Sequence, residues 1–276
     1  MGRGLAEALA TSGLQVILVD VSEQILADAM DHIGYSLKSA ALFDPKLREN
    51  FNETMARIRT TTDYGSLQAA QFIIESTTEK WSVKKDVYAR LSDICSPDCV
   101  LAANTSVISI AKIAAETRDP SSVLGMHFMN PVPKKPAVEV IRSPFTSDRT
   151  IETACNLLDQ IGKRAIIVND KPGFVTNRVL MLTINEAIAV VEEGVSTASD
   201  VDDIFVSCFS HAMGPLATAD LIGLDTILLS LNELYASYED DKYLPAQLLR
   251  DMVANGELGR KTGHGFFDYK QRSIAK

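Results

Sequence analysis

The sequence predicts an α/β fold. It is a doubly wound, mainly parallel sheet over residues 1–169, followed by an all-helical domain over 170–276. Three observations predict it. Short apolar, β-rich runs alternate with helix-length segments through the first half, the pattern of a sheet covered on both faces. That alternation stops at Asp170-Lys171-Pro172-Gly173, beyond which no strand-like run appears. Apolar residues make up 46% of 276 residues, enough for two cores.

The elements follow in order. Gly4 to Ala10 reads as a helix, and Val16 to Val19 as an apolar strand. Glu23 to Leu42 and Pro45 to Arg57 form a helical pair broken at Asp44-Pro45, because proline disfavours helix in the residue before it. Thr60 to Tyr64 precedes another helix-like stretch, and Phe72-Ile73-Ile74 is a short strand. Lys84 to Leu91 is helical, Val100-Leu101-Ala102 a strand and Ile108 to Ala115 a short helix. Val123 to Phe128, Ala137 to Ile141 and Arg164 to Val168 read as strands, with a helix from Thr150 to Ile161 before the last. In the second domain Val179 to Glu193, Ala198 to Ser207, Gly223 to Tyr238 and Pro245 to Asn255 read as helices.

Composition narrows the function classes. A net charge of −9 argues against nucleic-acid binding, which needs basic surface for phosphates. No apolar run is long enough to span a membrane, and no basic-plus-apolar leader stands at the start. Cys95, Cys99, Cys155 and Cys208 have no structural-zinc spacing and read as free thiols of a cytoplasmic protein.

The opening MGRGLAEALATSGLQVILVD reads as the back half of a dinucleotide-binding, Rossmann-type motif. A full fingerprint is G-x-G-x-x-G between a strand and a helix. Here Gly2 stands as the third glycine, the one that permits close helix packing, and the first strand and first two glycines are expected ahead of it. Asp20 ends the next strand, eighteen residues on. A carboxylate there accepts hydrogen bonds from ribose hydroxyls and repels a 2′-phosphate, so NAD is expected over NADP.

His127 ends an apolar strand and lies twelve residues before Glu139, at a polar position of the next strand. An imidazole beside a carboxylate is a general acid/base pair. Ser106 follows a strand and Asn177 starts a helix, and both carry neutral groups able to hold a carbonyl or hydroxyl. Taken singly, such a histidine is more often structural, and Ser106 and Asn177 are more often cap or turn residues.

Five motifs change that weighting. NTSVISI at 104–110, GMHFMNPVPKKPAVEV at 125–140, PGFVTNRVL at 172–180, MGPLATADLIGLD at 213–225 and GRKTGHGFFDY at 259–269 resemble the 3-hydroxyacyl-CoA dehydrogenase family, in order and over essentially the whole chain. The resemblance implies that Ser106, His127, Glu139 and Asn177 are the catalytic set. It implies hydride transfer between C3 of a 3-hydroxyacyl thioester and NAD. It places Glu79 and Lys84 on the cofactor side, Asn104 near the nicotinamide, and Asn130 with Pro131 in the loop after the catalytic histidine. It also implies a homodimer through the helical domain, for which the helix TINEAIAVV at 183–191 is a candidate surface. Asp220 and Asp225 are expected to cap helices.

One stretch departs from the family. A lysine-rich segment that faces the nucleotide end of coenzyme A reads here GYSLKSAALFDPKLR, residues 34–48. Lys38 remains, as the expected substrate-side cation, but Ala40-Ala41-Leu42-Phe43 replaces the downstream cluster. An apolar patch suits CoA phosphates poorly and suits a phosphopantetheine arm on an acyl carrier protein better. The expectation is therefore a glyceryl group on acyl carrier protein, as in the polyketide-pathway subgroup that makes methoxymalonyl extender units. Short-chain 3-hydroxyacyl-CoA oxidation is the alternative. A non-catalytic thioester- or carrier-binding protein is the alternative of another class.

Overall fold

The computed structural model describes residues 1–269. The chain forms two compact units, Met1–Lys171 and Pro172–Lys276.

The first unit begins with α1 (Gly2–Thr11), β1 (Val16–Val19) and the long α2 (Glu23–Ala41). Two short helices follow, α3 (Pro45–Glu49) and α4 (Phe51–Ala56). Asp44 caps α3 by accepting from Lys46 N, with Pro45 in the first turn, so the proline break is also a helix start. Then come β2 (Ile58–Thr61), β3 (Phe72–Glu75), α5 (Trp81–Ile94), β4 (Val100–Ala103) and α6 (Ile110–Ala114). The unit closes with β5 (Val123–His127), β6 (Ala137–Arg142), α7 (Asp148–Gln160) and β7 (Arg164–Asn169).

The hydrogen-bonded sheet is in two pieces, β1-β2 and β3-β4-β5-β6-β7. All pairs are parallel except β5 with β6. Helix α1 packs on both pieces: Ala6 and Ala10 pack with residues of β1 and β2, while Leu5 and Ala8 pack in the cluster that includes Phe72 and Ile74 of β3. β2 corrects the sequence reading, which passed over Ile58-Arg59; its pairing with β1, Val16 opposite Ile58, makes the strand.

β4 and β5 are buried at every position, as expected for strands covered on both faces. One face packs Leu124, Met126, Val138 and Val140 against Ile151, Ala154 and Leu158 of α7. Gly125 in β5 is set by packing against α6 and β6. A Cβ there would lie 2.8 Å from Ile110 Cδ1 and 2.9 Å from Ile141 Cβ.

The second unit is helical: α8 (Thr176–Glu192), α9 (Ala198–Ser207), α10 (Pro215–Ile222), α11 (Leu224–Tyr238) and α12 (Gln247–Ala254). Its core includes Ile184, Ala187 and Ile188, so the helix at 183–191 spends its apolar face inside its own unit. Asp202 accepts from Leu216 N and Ala217 N and holds the start of α10. Asp220 corrects the expectation of a helix cap. It lies inside α10 and accepts from Phe266 N, Phe267 N and the Tyr269 hydroxyl, fastening the GHGFFDY segment. Asp225 lies in the first turn of α11 and pairs with Lys261. Among the described residues, no helix is long and apolar enough to cross a membrane.

Gly125→Ala is expected to cost about 1–3 kcal/mol by overpacking, measured by urea denaturation. Unchanged stability would show that Ile110 and Ile141 have room to move.

Candidate active site

The parallel strands β3, β4 and β5 end at Glu75, Ala103 and His127, and their following loops gather at one edge of the sheet, the usual ligand edge of such folds. A cavity of about 250 Å³ lies there. Glu79, Asn104, Ser106, His127 and Asn130 line it, together with Ser76 and Thr77.

The antiparallel β5-β6 pair places His127 directly opposite Glu139. Opposed residues project to the same face of a sheet. His127 Nδ1 lies 3.0 Å from Glu139 Oε2, with both side chains buried. The other ring nitrogen, Nε2, lies 3.1 Å from Ser106 Oγ. The three groups form a chain of carboxylate, imidazole and hydroxyl that ends in the cavity. If Glu139 accepts from Nδ1–H, Nε2 is left with a lone pair toward Ser106.

The loop carrying Ser106 is held at both ends. Near its start, the Glu79 carboxylate accepts from the Thr105 hydroxyl, from Ser106 N at 3.2 Å and from Val107 N at 3.4 Å. Farther on, Asp170 Oδ2 accepts from the Ser109 hydroxyl at 2.9 Å and from Ala111 N at 2.7 Å, fastening the start of α6. Sequence reasoning met Asp170 only as a domain boundary. A carboxylate at a strand end, sixty-one residues from its partner, leaves no local signal.

Three further residues have partners that the sequence did not indicate. Lys84 is fully buried and is not among the residues lining the cavity. Its ammonium donates to both oxygens of Glu75, at 3.1 and 2.8 Å, and reaches the Asn104 carbonyl at 3.5 Å. A buried ammonium needs a partner, and Glu75 is that partner here. The Asn104 side chain is likewise engaged, accepting from Phe128 N at 3.2 Å and donating to Ser76 Oγ at 3.2 Å, which ties the three strand ends together. Lys38 sits exposed on α2, its ammonium 5.5 Å from the centre of the Phe51 ring, and does not line the cavity.

Gly2 opens α1, a ten-residue helix whose first turn carries no acidic residue. Its N-terminus suits a phosphate. Asp20 stands at the end of β1, partly exposed. These features fit a dinucleotide: a helix start for the pyrophosphate and a carboxylate for ribose hydroxyls. Asn177 belongs to the second unit, buried in the first turn of α8.

Fold and site together have the form of a nucleotide-binding domain with a buried histidine–carboxylate pair at its ligand edge. Comparison with known proteins makes this specific. Residues 1–171 match the model of the 3-hydroxyacyl-CoA dehydrogenase NAD binding domain, and residues 173–269 match that family's C-terminal domain. The chain belongs to the 3-hydroxyacyl-CoA dehydrogenase family and is an NAD-dependent oxidoreductase. It is 40% identical over 273 residues to a probable 3-hydroxybutyryl-CoA dehydrogenase of Bacillus subtilis, covering 99% of this chain and 95% of that one. It is 38% identical over 271 residues to 3-hydroxybutyryl-CoA dehydrogenase of Clostridioides difficile, covering 98% and 96%. The crystal structure of (S)-3-hydroxybutyryl-CoA dehydrogenase from Ralstonia eutropha superposes with a TM-score of 0.94 at 41% identity, over 98% of this chain and 96% of that one.

Glu79→Ala removes the acceptor for three donors of the Ser106 loop. Steady-state kinetics are expected to show kcat/KM reduced ~10-fold, the equivalent of about one net hydrogen bond. Glu79→Gln keeps an accepting oxygen and is expected to retain most of the activity. An alanine variant as active as the parent would show that the loop is held without Glu79.

Proposed function

We propose that the chain oxidises the 3-hydroxyl of a short 3-hydroxyacyl-CoA, with 3-hydroxybutyryl-CoA as the first substrate to test. The observation that carries this reading is the Ser106–His127–Glu139 chain at the strand ends of an NAD-binding domain. The names of the relatives favour CoA over the carrier-bound glyceryl group that the sequence pattern put first.

NAD, when bound, supplies the hydride acceptor. Asp20 would hold its adenosine ribose, and the N-terminus of α1, opened by Gly2, would hold its phosphates. His127 Nε2 takes the proton of the C3 hydroxyl, and Glu139 steadies the imidazolium this creates. Ser106 already presents an oxygen at hydrogen-bond distance from Nε2, so the position suits a second hydroxyl brought by substrate. In the reductive direction His127 returns the proton to the forming hydroxyl. Asn177 and Asn130 are assigned to the thioester, while Glu79, Lys84 and Asn104 fix the loops beneath it. A homodimer through the second unit belongs to the same reading. Phe209, Leu221 and Leu229 are exposed apolar side chains of that unit.

A specific observation keeps the carrier protein as a second reading. Leu42 and Phe43, where a cationic cluster would serve CoA phosphates, are 80% and 90% exposed. Large exposed apolar side chains suit a protein partner better than a phosphate.

The test offers matched 3-hydroxybutyryl and glyceryl groups on CoA and on acyl carrier protein and follows NADH absorbance. Turnover of 3-hydroxybutyryl-CoA with NAD is expected, together with loss of ~10²- to 10⁴-fold in kcat for His127→Gln. Turnover confined to carrier-bound substrate would transfer the assignment to the second reading. An absence of turnover, with no NADH fluorescence change at millimolar cofactor, would leave a non-catalytic binding protein.

A further inference from the structure

Lys163 is a charged side chain that the reaction does not use directly and that the fold has nonetheless buried to 6% exposure. Its ammonium makes its two close hydrogen bonds to backbone carbonyls, Val132 O at 2.7 Å and Lys135 O at 2.6 Å. Neither partner is a carboxylate. Burying a cation against carbonyl dipoles alone is costly, and burial lowers the pKa of this group from its ordinary value.

The backbone that presents Lys163 is fixed on all sides. Gly162 takes a left-handed conformation at the end of α7, with φ of 66°. Lys163 N then bonds back to Leu158 O at 2.8 Å, a helix-ending turn of the Schellman kind. The next residue, Arg164, bonds Pro136 O at 2.8 Å.

The two carbonyls it grips, at the start of the turn and just after it, belong to the loop that follows His127. That loop runs through Phe128, Met129 and Asn130 on the cavity wall and turns in a 3-10 segment at Val132–Lys134. Val132 is buried against the start of α1. A Cβ at Gly4 would lie 3.5 Å from Val132 Cβ. One cation therefore fastens the loop that lies between the base and the helix start assigned to the cofactor.

We infer that Lys163 is a positioning residue for the reaction: its ammonium clamps the 128–135 loop and so sets Asn130 against the acyl thioester. This rests on the function proposed above. The base does not depend on the clamp, since Glu139 and Ser106 hold His127 from the sheet and from another loop. A loss of the clamp therefore acts on substrate binding and spares the proton transfer.

The experiment compares Lys163→Met, Lys163→Gln and Lys163→Arg in the full chain. Two readouts are used: steady-state kinetics with 3-hydroxybutyryl-CoA, and hydrogen exchange of the ligand-free protein by mass spectrometry. The methionine variant is expected to raise KM for the thioester ~10-fold while kcat stays within about threefold. Exchange is expected to speed up in the 128–136 peptide and to stay unchanged in β4 and β6. Arginine, which keeps charge and donors, is expected to restore most of the KM. Should methionine prevent folding, glutamine, with two N–H donors and no charge, carries the same comparison. A parallel fall in kcat with general loss of protection would make Lys163 a stability residue only, and unchanged KM and exchange would overturn the inference outright. If the parent enzyme fails to turn over, the exchange result still decides whether the clamp exists, so the two failures are distinguishable.

Discussion

The site depends on one pairing, the antiparallel register that sets His127 opposite Glu139. Every other strand pair in the first unit is parallel. In a parallel neighbour the cross-strand partner of His127 would follow its strand in the same direction, and its loop would leave at the same edge. The reversal brings a residue near the start of β6 to the cavity edge of β5. It also keeps the intervening loop, 128–136, beside the cavity. Burial of both side chains strengthens their attraction, because water screens it little. The same burial requires that the two remain partnered, since either one alone in that environment is costly.

The remaining charges around the cavity are spent mostly on holding backbone. Glu79 fastens the Ser106 loop at one end and Asp170 fastens it at the other. Lys84 and Glu75 neutralise each other beneath Asn104, and Asn104 joins the ends of β3, β4 and β5. Catalytic geometry tolerates errors of about half an ångström. A cavity made of loops therefore needs its loops tied to rigid strands, and buried carboxylates and ammoniums with several partners supply such ties.

Much of this was legible in the sequence, and the reasons are local. The alternation of β-rich runs with helices gave both the sheet and the change of architecture near Pro172. A polar Glu139 inside an apolar run, twelve residues after a strand-end histidine, suggested the pairing that the structure shows, though only the family resemblance raised it above a structural histidine. The five motifs gave the family. What escaped was non-local. Ile58-Arg59-Thr60-Thr61 carries one strongly apolar residue, and only its pairing with β1 makes it a strand. Lys84 sits in a charged segment that reads as a solvated helix start, and its burial is decided by Glu75 at the end of another element. The partners of Lys163 lie up to thirty-one residues away and are carbonyls, which carry no residue-type signature. The carrier preference drawn from Leu42 and Phe43 rested on exposed side chains alone. Their exposure is real, but whole-chain similarity points to CoA-named relatives.

The central claim is that Glu139 holds the imidazole of His127 with its proton on Nδ1 and Nε2 as the accepting nitrogen. Nitrogen NMR of histidine-labelled protein, above the imidazole titration, reads this directly. The His127 signals are assigned by their absence in His127→Gln. The account predicts a protonated Nδ1 and an unprotonated Nε2, with that preference weakened in Glu139→Gln. A dominant Nε2–H tautomer in the parent protein, indifferent to the change at Glu139, would contradict it.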